Sequence, residues 1–173
     1  MKKSLIAVAL LTGCAFAGMA NAYDGTINFI GNITDAACTV TANTANQTVT
    51  LGKVQSTALP SVGATAAPTL FSIVLANCPA AVTGAYIKFD GPADTLNSKL
   101  LALTSGTGVA TGVAIGLYEQ DSSTQIPVGG SANPHGITPP DATYNFIAKY
   151  VATKAAVTAG PANAVTNFTI IYN

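Results

Sequence analysis

Short runs of alternating apolar and polar residues, separated by turn-forming residues, recur along most of this chain of 173 residues. Most runs are rich in Val, Ile, Thr, Tyr and Phe, and their period of two is that of a strand with one buried face. The pattern predicts an all-β sandwich with strands at 32–42, 47–54, 70–78, 84–91, 98–104, 112–120, 143–153 and 164–173. The alanine-rich stretches 58–67 and 152–164 are predicted to form short helices or loops.

The first 22 residues have the plan of a secretory signal peptide: two lysines, an apolar stretch and the small-x-small site Ala20-Asn21-Ala22. The apolar stretch is shorter than the roughly 20 residues that a membrane-spanning helix needs, so we expect no stable membrane insertion. We predict that residues 1–22 are removed. The alternative is lipidation at Cys14 within "LTGC", which would give a surface lipoprotein with a sandwich fold.

The cysteine count favours removal of residues 1–22. The chain has three cysteines, and cleavage after Ala22 leaves the even pair Cys38 and Cys78 in an oxidising compartment, which suits one disulfide. Such a bridge closes a loop of about 41 residues, for which the chain-entropy model gives about 4 kcal/mol. A metal site would need about four ligands, and the chain has a single histidine, so we predict no metal.

Charged residues are sparse, at 8 % of the chain, and the sequence without residues 1–22 has no arginine. Nucleic acid binding needs clustered cations, so we expect no nucleic acid partner. A chain with so few charges and so much apolar surface is expected to bury part of that surface against copies of itself.

Candidate catalytic residues are few. His135, the only histidine, lies in the proline-rich "SANPHGITPP" and is interpreted as a surface residue, and Asp90 and Asp94 flank a turn. A serine nucleophile needs a base, and no G-x-S-x-G motif occurs. We therefore predict neither an enzyme nor a cofactor.

The stretch after the signal peptide has the pattern of a half-buried strand. One face is apolar or small, and its members are Gly25, Ile27, Phe29, Gly31 and Ile33. The stretch precedes the first cysteine of the pair and lies near a chain end, where segments are mobile unless they are tied down. It is either an ordinary first strand of the sandwich or a strand for another chain.

The end of the chain alternates in the same way. One face carries Ala162, Ala164, Phe168, Ile170 and Tyr172 together with Thr166. No hairpin follows to pair the second edge of this strand, and exposed edges invite pairing with another chain. A chain with such an edge and a detachable N-terminal strand could polymerise head to tail into a filament.

Four motifs in order, "GTINFIGNITDAACTV", "LANCP", "NFIAKYVAT" and "NFTIIYN", resemble those of subunits of the chaperone–usher fimbriae of Gram-negative bacteria. The chain is similar to the type 1 fimbrial major subunit in particular. Gly160 lies fourteenth from the end, where the family usually keeps a glycine, and Tyr172 is the penultimate tyrosine.

The resemblance implies an immunoglobulin-like sandwich at 34–173 that lacks its final strand, and a donor-strand extension at 23–33. A periplasmic chaperone would first lend a strand to the groove along 162–172. An outer-membrane usher would then replace it with the extension of the next subunit, identical or related, in an extracellular fimbria. This exchange is a known form of β-strand addition. Gly31 would lie where two backbones come close. The role of a shaft subunit and that of a minor adaptor or tip-associated binding subunit both remain open.

Overall fold

The structure is a computed structural model that describes residues 25–31, 33 and 37–173. The predicted signal peptide, its cleavage site and Cys14 lie outside the described residues. The chain divides into two units, Met1–Ile33 and Thr34–Asn173. The second unit holds all the strands and helices assigned among the described residues.

Eight strands and two short helical turns make up the second unit. The strands are β1 (Thr39–Val40), β2 (Thr65–Ala76), β3 (Gly84–Asp90), β4 (Val113–Glu119), β5 (Gln125–Ile126), β6 (His135–Gly136), β7 (Ala142–Ala152) and β8 (Asn167–Tyr172). The helical turns are α1 (Ala42–Ala45) and a 3-10 turn at Ser56–Ala58. No helix in the described part of the chain is long and apolar enough to cross a membrane.

The strands form two antiparallel sheets, one in the order β1-β2-β7-β4-β5 and the other in the order β6-β3-β8. The order of β1, β2, β7 and β4 is that of strands A, B, E and D of an immunoglobulin sandwich. In the second sheet, β3 and β8 then take the places of strands C and F. The predicted all-β immunoglobulin-like fold is confirmed, and the place beside β8 is where the final strand of that fold, G, would lie.

Inward-facing side chains of the two sheets form the core. Phe89 on β3 meets Phe146 on β7 edge to face, with ring centroids 5.1 Å apart. Ile73 and Ile87 beside them are fully buried. Alternation along each strand produces this layer, because every second side chain points between the sheets.

One long edge of the sandwich, formed by β4, β5, β6 and the segment 127–134, is closed by polar contacts between the sheets. The Glu119 carboxylate on β4 accepts a hydrogen bond from the Asn133 N–H at 2.7 Å and lies 3.7 Å from Nε2 of His135 on β6. Ile126 on β5 is buried behind them. We call this region the closed edge.

The predicted disulfide between Cys38 and Cys78 is confirmed, with the two Cα atoms 4.2 Å apart. It joins the residue before β1 to the segment after β2. The bridge therefore fixes the start of the sandwich to one end of both sheets.

Two predicted strands are wrong. The stretch 47–54 forms no strand, and Gly52 within it has a φ of +77°, which interrupts an extended run. The stretch 98–104 is also not a strand, and within it only Leu101 pairs, through isolated bridges to Ala93 and Ile115. Of the stretch 32–42, only Thr39–Val40 is a strand among its described residues.

Candidate functional site

β8 is an edge strand whose hydrogen bonds to β3 use every second residue. The Asn173 N–H donates to the Gly84 carbonyl at 3.0 Å. The antiparallel pairing of β3 with β8 runs from Ala85 opposite Tyr172 to Asp90 opposite Asn167. In an antiparallel pair, residues that exchange hydrogen bonds alternate with residues that do not. Asn167, Thr169 and Ile171 therefore bond to β3. The N–H and C=O groups of Phe168, Ile170 and Tyr172 face the edge that no described strand covers.

The same alternate residues point their side chains into the sandwich. Ala164, Phe168, Ile170 and Tyr172 pack against the core, yet all four remain only half-buried. Their neighbours Asn167 and Thr169 are exposed on the outer face. The strand thus offers apolar side chains and free backbone groups along one line.

Three inward-facing residues of the other sheet, and Leu51 outside any strand, also stay partly uncovered opposite β8. The three are Val40 on β1, Phe71 on β2 and Tyr150 on β7, and all four residues pack against the core. We call the strip between β8 and β1 the groove, with Ala164, Phe168, Ile170 and Tyr172 as its wall and these four residues as its floor. Sequence reasoning missed the floor. The period of two along 70–78 and 143–153 is the signal that could have indicated that Phe71 and Tyr150 point inward.

One end of the groove opens into a cavity of about 470 Å³ next to Gly160. Leu59, Tyr150 and Ala162 contribute to its lining, so the predicted groove residues Gly160 and Ala162 both lie here. Gly160 approaches another backbone closely, because an added Cβ would lie 2.6 Å from the Ala110 nitrogen. Burial raises the pKa of Tyr150 above its ordinary value of 10.0.

The other end of the groove is closed by Tyr172. Its hydroxyl accepts a hydrogen bond from the Cys38 N–H at 3.0 Å and donates one to the Cys38 carbonyl at 3.4 Å. We call this contact the Tyr172 clasp.

Tyr144 is close to this end of the groove. Burial, and secondarily the neighbouring Tyr172, raise the pKa of Tyr144. The Tyr144 hydroxyl has no hydrogen-bond partner among the described residues.

The first unit supplies the other predicted site residues. Residues 25–31 and 33 have no assigned strand or helix, and their large apolar side chains are Ile27 (80 % exposed), Phe29 (93 %), Ile30 (96 %) and Ile33 (104 %). Gly25 and Gly31 lack positive φ angles, and a Cβ added at either would meet no described atom within 4 Å. Neither glycine is thus explained by conformation or packing among these residues.

The described residues contain no group of three or more His, Cys, Asp or Glu side chains that could hold a metal ion. The polar residues at the closed edge line a cavity of about 260 Å³ that includes Glu119, Asp121 and His135. Asp121 accepts hydrogen bonds from Thr124 and Ser123, which lower the pKa of its carboxyl well below the usual range. The open edge of the second sheet is at β8, and it produces the groove. This cavity lies instead at the closed edge.

An immunoglobulin-like sandwich with an uncovered apolar strip beside strand F has the form of a pilus subunit, and sequence comparison agrees. The fimbrial protein family matches residues 27–173, and the chain belongs to that family. Members of the family are structural subunits of pili rather than enzymes.

Individual relatives cover nearly the whole chain. A probable major fimbrial subunit of Escherichia coli O157:H7 is 35 % identical over 99 % of this chain and 97 % of its own length. A type I fimbria protein of Burkholderia pseudomallei, solved by crystallography, is 42 % identical with a TM-score of 0.62, over 86 % of this chain and 97 % of that one. A subunit in the structure of a chaperone–usher pilus is 25 % identical with a TM-score of 0.66, over 86 % and 95 %.

Proposed function

We propose that this chain is a structural subunit of an extracellular adhesive fimbria that polymerises head to tail by donor-strand exchange. Residues 23–33 of one copy, freed by cleavage after Ala22, enter the groove of the next copy and complete its sandwich. The observation that carries the proposal is the line of half-buried side chains on β8 whose own backbone groups face an uncovered edge.

The immunoglobulin fold gives the direction of the inserted strand. Strand G of that fold lies antiparallel to strand F, and β8 takes the place of F. The donor segment therefore runs antiparallel to β8, with Gly25 toward the Tyr172 end and Ile33 toward the Gly160 end. Ile33 then lies near the 470 Å³ cavity, which has room for an apolar side chain.

Burial of the donor side chains supplies the driving force. Ile27, Phe29 and Ile33 are exposed in the described segment, and each contributes roughly 1.5–3 kcal/mol when it is fully buried. The backbone of the donor adds hydrogen bonds to Phe168 and Ile170, whose edge groups are otherwise left to water. Ordering the segment offsets part of this gain.

The same physics explains the need for helper proteins. An uncovered groove exposes apolar surface at a cost of about 25 cal/mol per Å², so an isolated subunit should be unstable or self-associating. A periplasmic chaperone that lends a strand covers this surface during export. An outer-membrane usher then exchanges that strand for the extension of the next subunit, either an identical copy or a related one.

The N-terminal extension and the groove are the two parts of the proposed contact, and together they indicate where in the fibre the chain lies. The chain carries both an extension and a groove, so it can insert into one neighbour and accept another. This favours an interior position, in the shaft or as an adaptor, over the tip.

Deletion of residues 23–33 tests the proposal. The truncated chain should still bind its chaperone through the intact groove but should not insert into another subunit. Electron microscopy of cells that express the chain with a matching chaperone and usher would measure fibre formation. Long fibres built from the truncated chain alone would overturn the proposal.

Gly31→Leu is the matched point variant. It should prevent the chain from inserting as a donor. It should leave the chain able to accept a wild-type extension, since an added Cβ at Gly31 meets no described atom of its own chain.

Intact mass of the secreted protein checks the processing, with cleavage after Ala22 and one disulfide expected. A lipid adduct at Cys14 would instead support the lipoprotein alternative.

A further inference from the structure

The cavity at the closed edge is lined by polar side chains from both sheets. Its volume is about 260 Å³. A cavity needs only roughly 10–15 Å³ to hold one water molecule, so this one has room for a small organic molecule. It lies where β4 ends, beside the start of β7 and the segment that leads into β6. Its lining residues are Glu119, Gln120, Asp121, Asn133, His135, Thr143, Tyr144 and Asn145.

Glu119 supplies the cavity with a hydrogen-bond acceptor that no other described residue uses. The residue is only 8 % exposed, and its Oε1 accepts a hydrogen bond from the Asn133 N–H at 2.7 Å. Its Oε2 lies 3.7 Å from Nε2 of His135, which is too long for a hydrogen bond. A carboxylate that is largely removed from water is costly unless it is hydrogen-bonded and paired with a cation. Oε2 therefore has a place for a donor.

The Tyr144 hydroxyl is a second unused polar group of the residues around this cavity. Tyr144 is only 3 % exposed, and its ring meets that of His135 edge to face with centroids 5.7 Å apart. Its hydroxyl is buried and has no hydrogen-bond partner in the part of the chain that the structure describes. Buried polar groups are nearly always paired, and a phenylalanine would fill the same place without an unpaired atom. Two neighbouring strands, β4 and β7, thus each bring an unpaired polar group to the cavity.

The charges around the cavity favour a cation. Its lining includes two carboxylates, those of Glu119 and Asp121, and no lysine. Hydrogen bonds, above all from Thr124, hold the pKa of the Asp121 carboxyl well below its usual range, so this group stays ionised. The buried ammonium of Lys149 donates to the Ser122 carbonyl and does not line the cavity. A cleft lined by one sign of charge concentrates ligands of the opposite sign.

We propose that this cavity binds the ammonium group of a short alkylamine or diamine. An alkylammonium group carries three N–H donors and no acceptor, which suits a carboxylate oxygen and a hydroxyl that both lack a donor. One N–H donates to Oε2 of Glu119, and another donates to the hydroxyl oxygen of Tyr144. Hydrogen bonds between ionised groups are about twice as strong as neutral ones, so the site prefers an ammonium group to an alcohol of the same size.

Equilibrium dialysis with labelled putrescine tests the site on the purified mature chain held by its chaperone, with the chaperone alone as the blank. Binding should saturate, and the neutral diol of the same chain length should not compete. Glu119→Gln keeps an oxygen for the Asn133 N–H but removes the charge, and it should weaken binding by roughly tenfold or more. Asp90→Asn is the matched control, because Asp90 pairs with Lys88 at 2.9 Å outside the cavity.

The outcomes separate a built site from general attraction to an acidic surface. Absence of saturable binding, competition by the diol, or equal losses for Glu119→Gln and Asp90→Asn would each overturn the site. Thermal unfolding without amine checks that each variant is folded. Putrescine should raise the unfolding temperature of the wild-type chain and not that of the Glu119→Gln chain, because only a ligand of the folded state stabilises it.

Tyr144→Phe tests the second acceptor and carries little risk of unfolding. It removes a buried hydroxyl that has no partner among the described residues, so the chain without amine should be at least as stable as the wild type. Binding of putrescine should nevertheless weaken by roughly two- to tenfold. An unchanged affinity in this variant would overturn the arrangement in which carboxylate and hydroxyl share one ammonium group.

A lysine side chain of a second copy offers the same ammonium group as a free amine, and dialysis of assembled fibres separates the two sources. A free amine should bind fibres and chaperone-held subunits alike. A lysine of a second copy should instead block the cavity in fibres only, and either result supports an ammonium site. Failure of the wild-type chain to form fibres would overturn the proposed function but not this site, which lies at the closed edge and is measured on subunits.

Discussion

The two long edges of the sandwich are built from the same alternating strands but differ in what covers them. At the closed edge, Ile126 is only 2 % exposed, and Glu119 joins the two sheets through Asn133. At the groove, residues with the same inward orientation, such as Phe71 and Ile170, stay half-buried. Hydrophobic patterning alone does not distinguish the two edges.

The difference assigns separate roles to the two edges. Residues at the closed edge are buried within one chain, so their burial contributes to the stability of that chain. Residues of the groove keep part of their surface uncovered. Under the proposed function, their full contribution to stability comes only in an assembly. Substitutions that are equivalent in size and chemistry should therefore have different consequences at the two edges.

The largest effect is expected for a charge placed inside the groove. Phe168→Asp should abolish assembly, because a carboxylate buried there without a partner costs several kcal/mol or stays protonated. Asn167→Asp is the matched control, since Asn167 is exposed on the outer face of the same strand. Fibre yield by electron microscopy measures both, and equal losses for the two variants would contradict the assigned faces.

Truncation of a buried side chain near the middle of the core should have the next largest effect. Ile87→Ala should lower the free energy of unfolding of the subunit by roughly 2–5 kcal/mol, because Ile87 is fully buried. Ile170 is the cross-strand partner of Ile87 on β8. Ile170→Ala should lower the free energy of unfolding by less than Ile87→Ala in the subunit alone, and by a larger amount after donor insertion. Denaturant titration of assembled and unassembled chains would test this. Equal costs in both states for Ile170→Ala would argue against the groove.

A smaller effect is expected at the Gly160 end. Gly160→Ala should destabilise the subunit by about 1–3 kcal/mol, because the added methyl group would collide with the backbone of 108–110 and force it to move. Gly129→Ala serves as a control for added volume, since a Cβ there meets no described atom within 4 Å. Gly129 has a positive φ, so the control carries a conformational cost but no collision. Thermal unfolding of both variants separates the two causes.

The smallest effect concerns pH. The pKa of Tyr150 is already raised by partial burial, and donor insertion over the groove floor should raise it further. A group whose folded pKa is raised contributes stability that is fully present below its unfolded value of 10.0 and is lost as the pH rises through the folded value. Assembled chains should therefore weaken above about pH 10. In Tyr150→Phe fibres this alkaline weakening should be reduced, as measured by dissociation against pH.

Much of the sandwich could be predicted from its sequence because long strands carry long patterns. The stretches 70–78, 84–91, 112–120, 143–153 and 164–173 all overlap observed strands. The two-residue strands β5 and β6 were missed. Their pairing depends on distant strands rather than on local pattern, and β6 lies within the proline-rich "SANPHGITPP".

The candidate site was predictable in part. The alternation along 162–172 predicted which residues of this stretch face inward. In the structure these residues follow one another from Ala162 at the 470 Å³ cavity to Tyr172 at the clasp. The groove floor was not predictable, because a strand pattern shows that Phe71 and Tyr150 point inward but not that the strand opposite them is missing. The Tyr172 clasp joins residues 134 positions apart, which no local signal could indicate.

The position of the disulfide has a mechanical consequence. In the proposed fibre, tension passes from the inserted strand into β8 along the direction of both strands, so the hydrogen bonds between them are loaded together in shear rather than opened one by one. At the Tyr172 end, the clasp passes part of this force to Cys38, and the bridge to Cys78 carries it across a covalent bond to the segment that follows β2. A pull on the fibre would thus be shared by both sheets of each subunit.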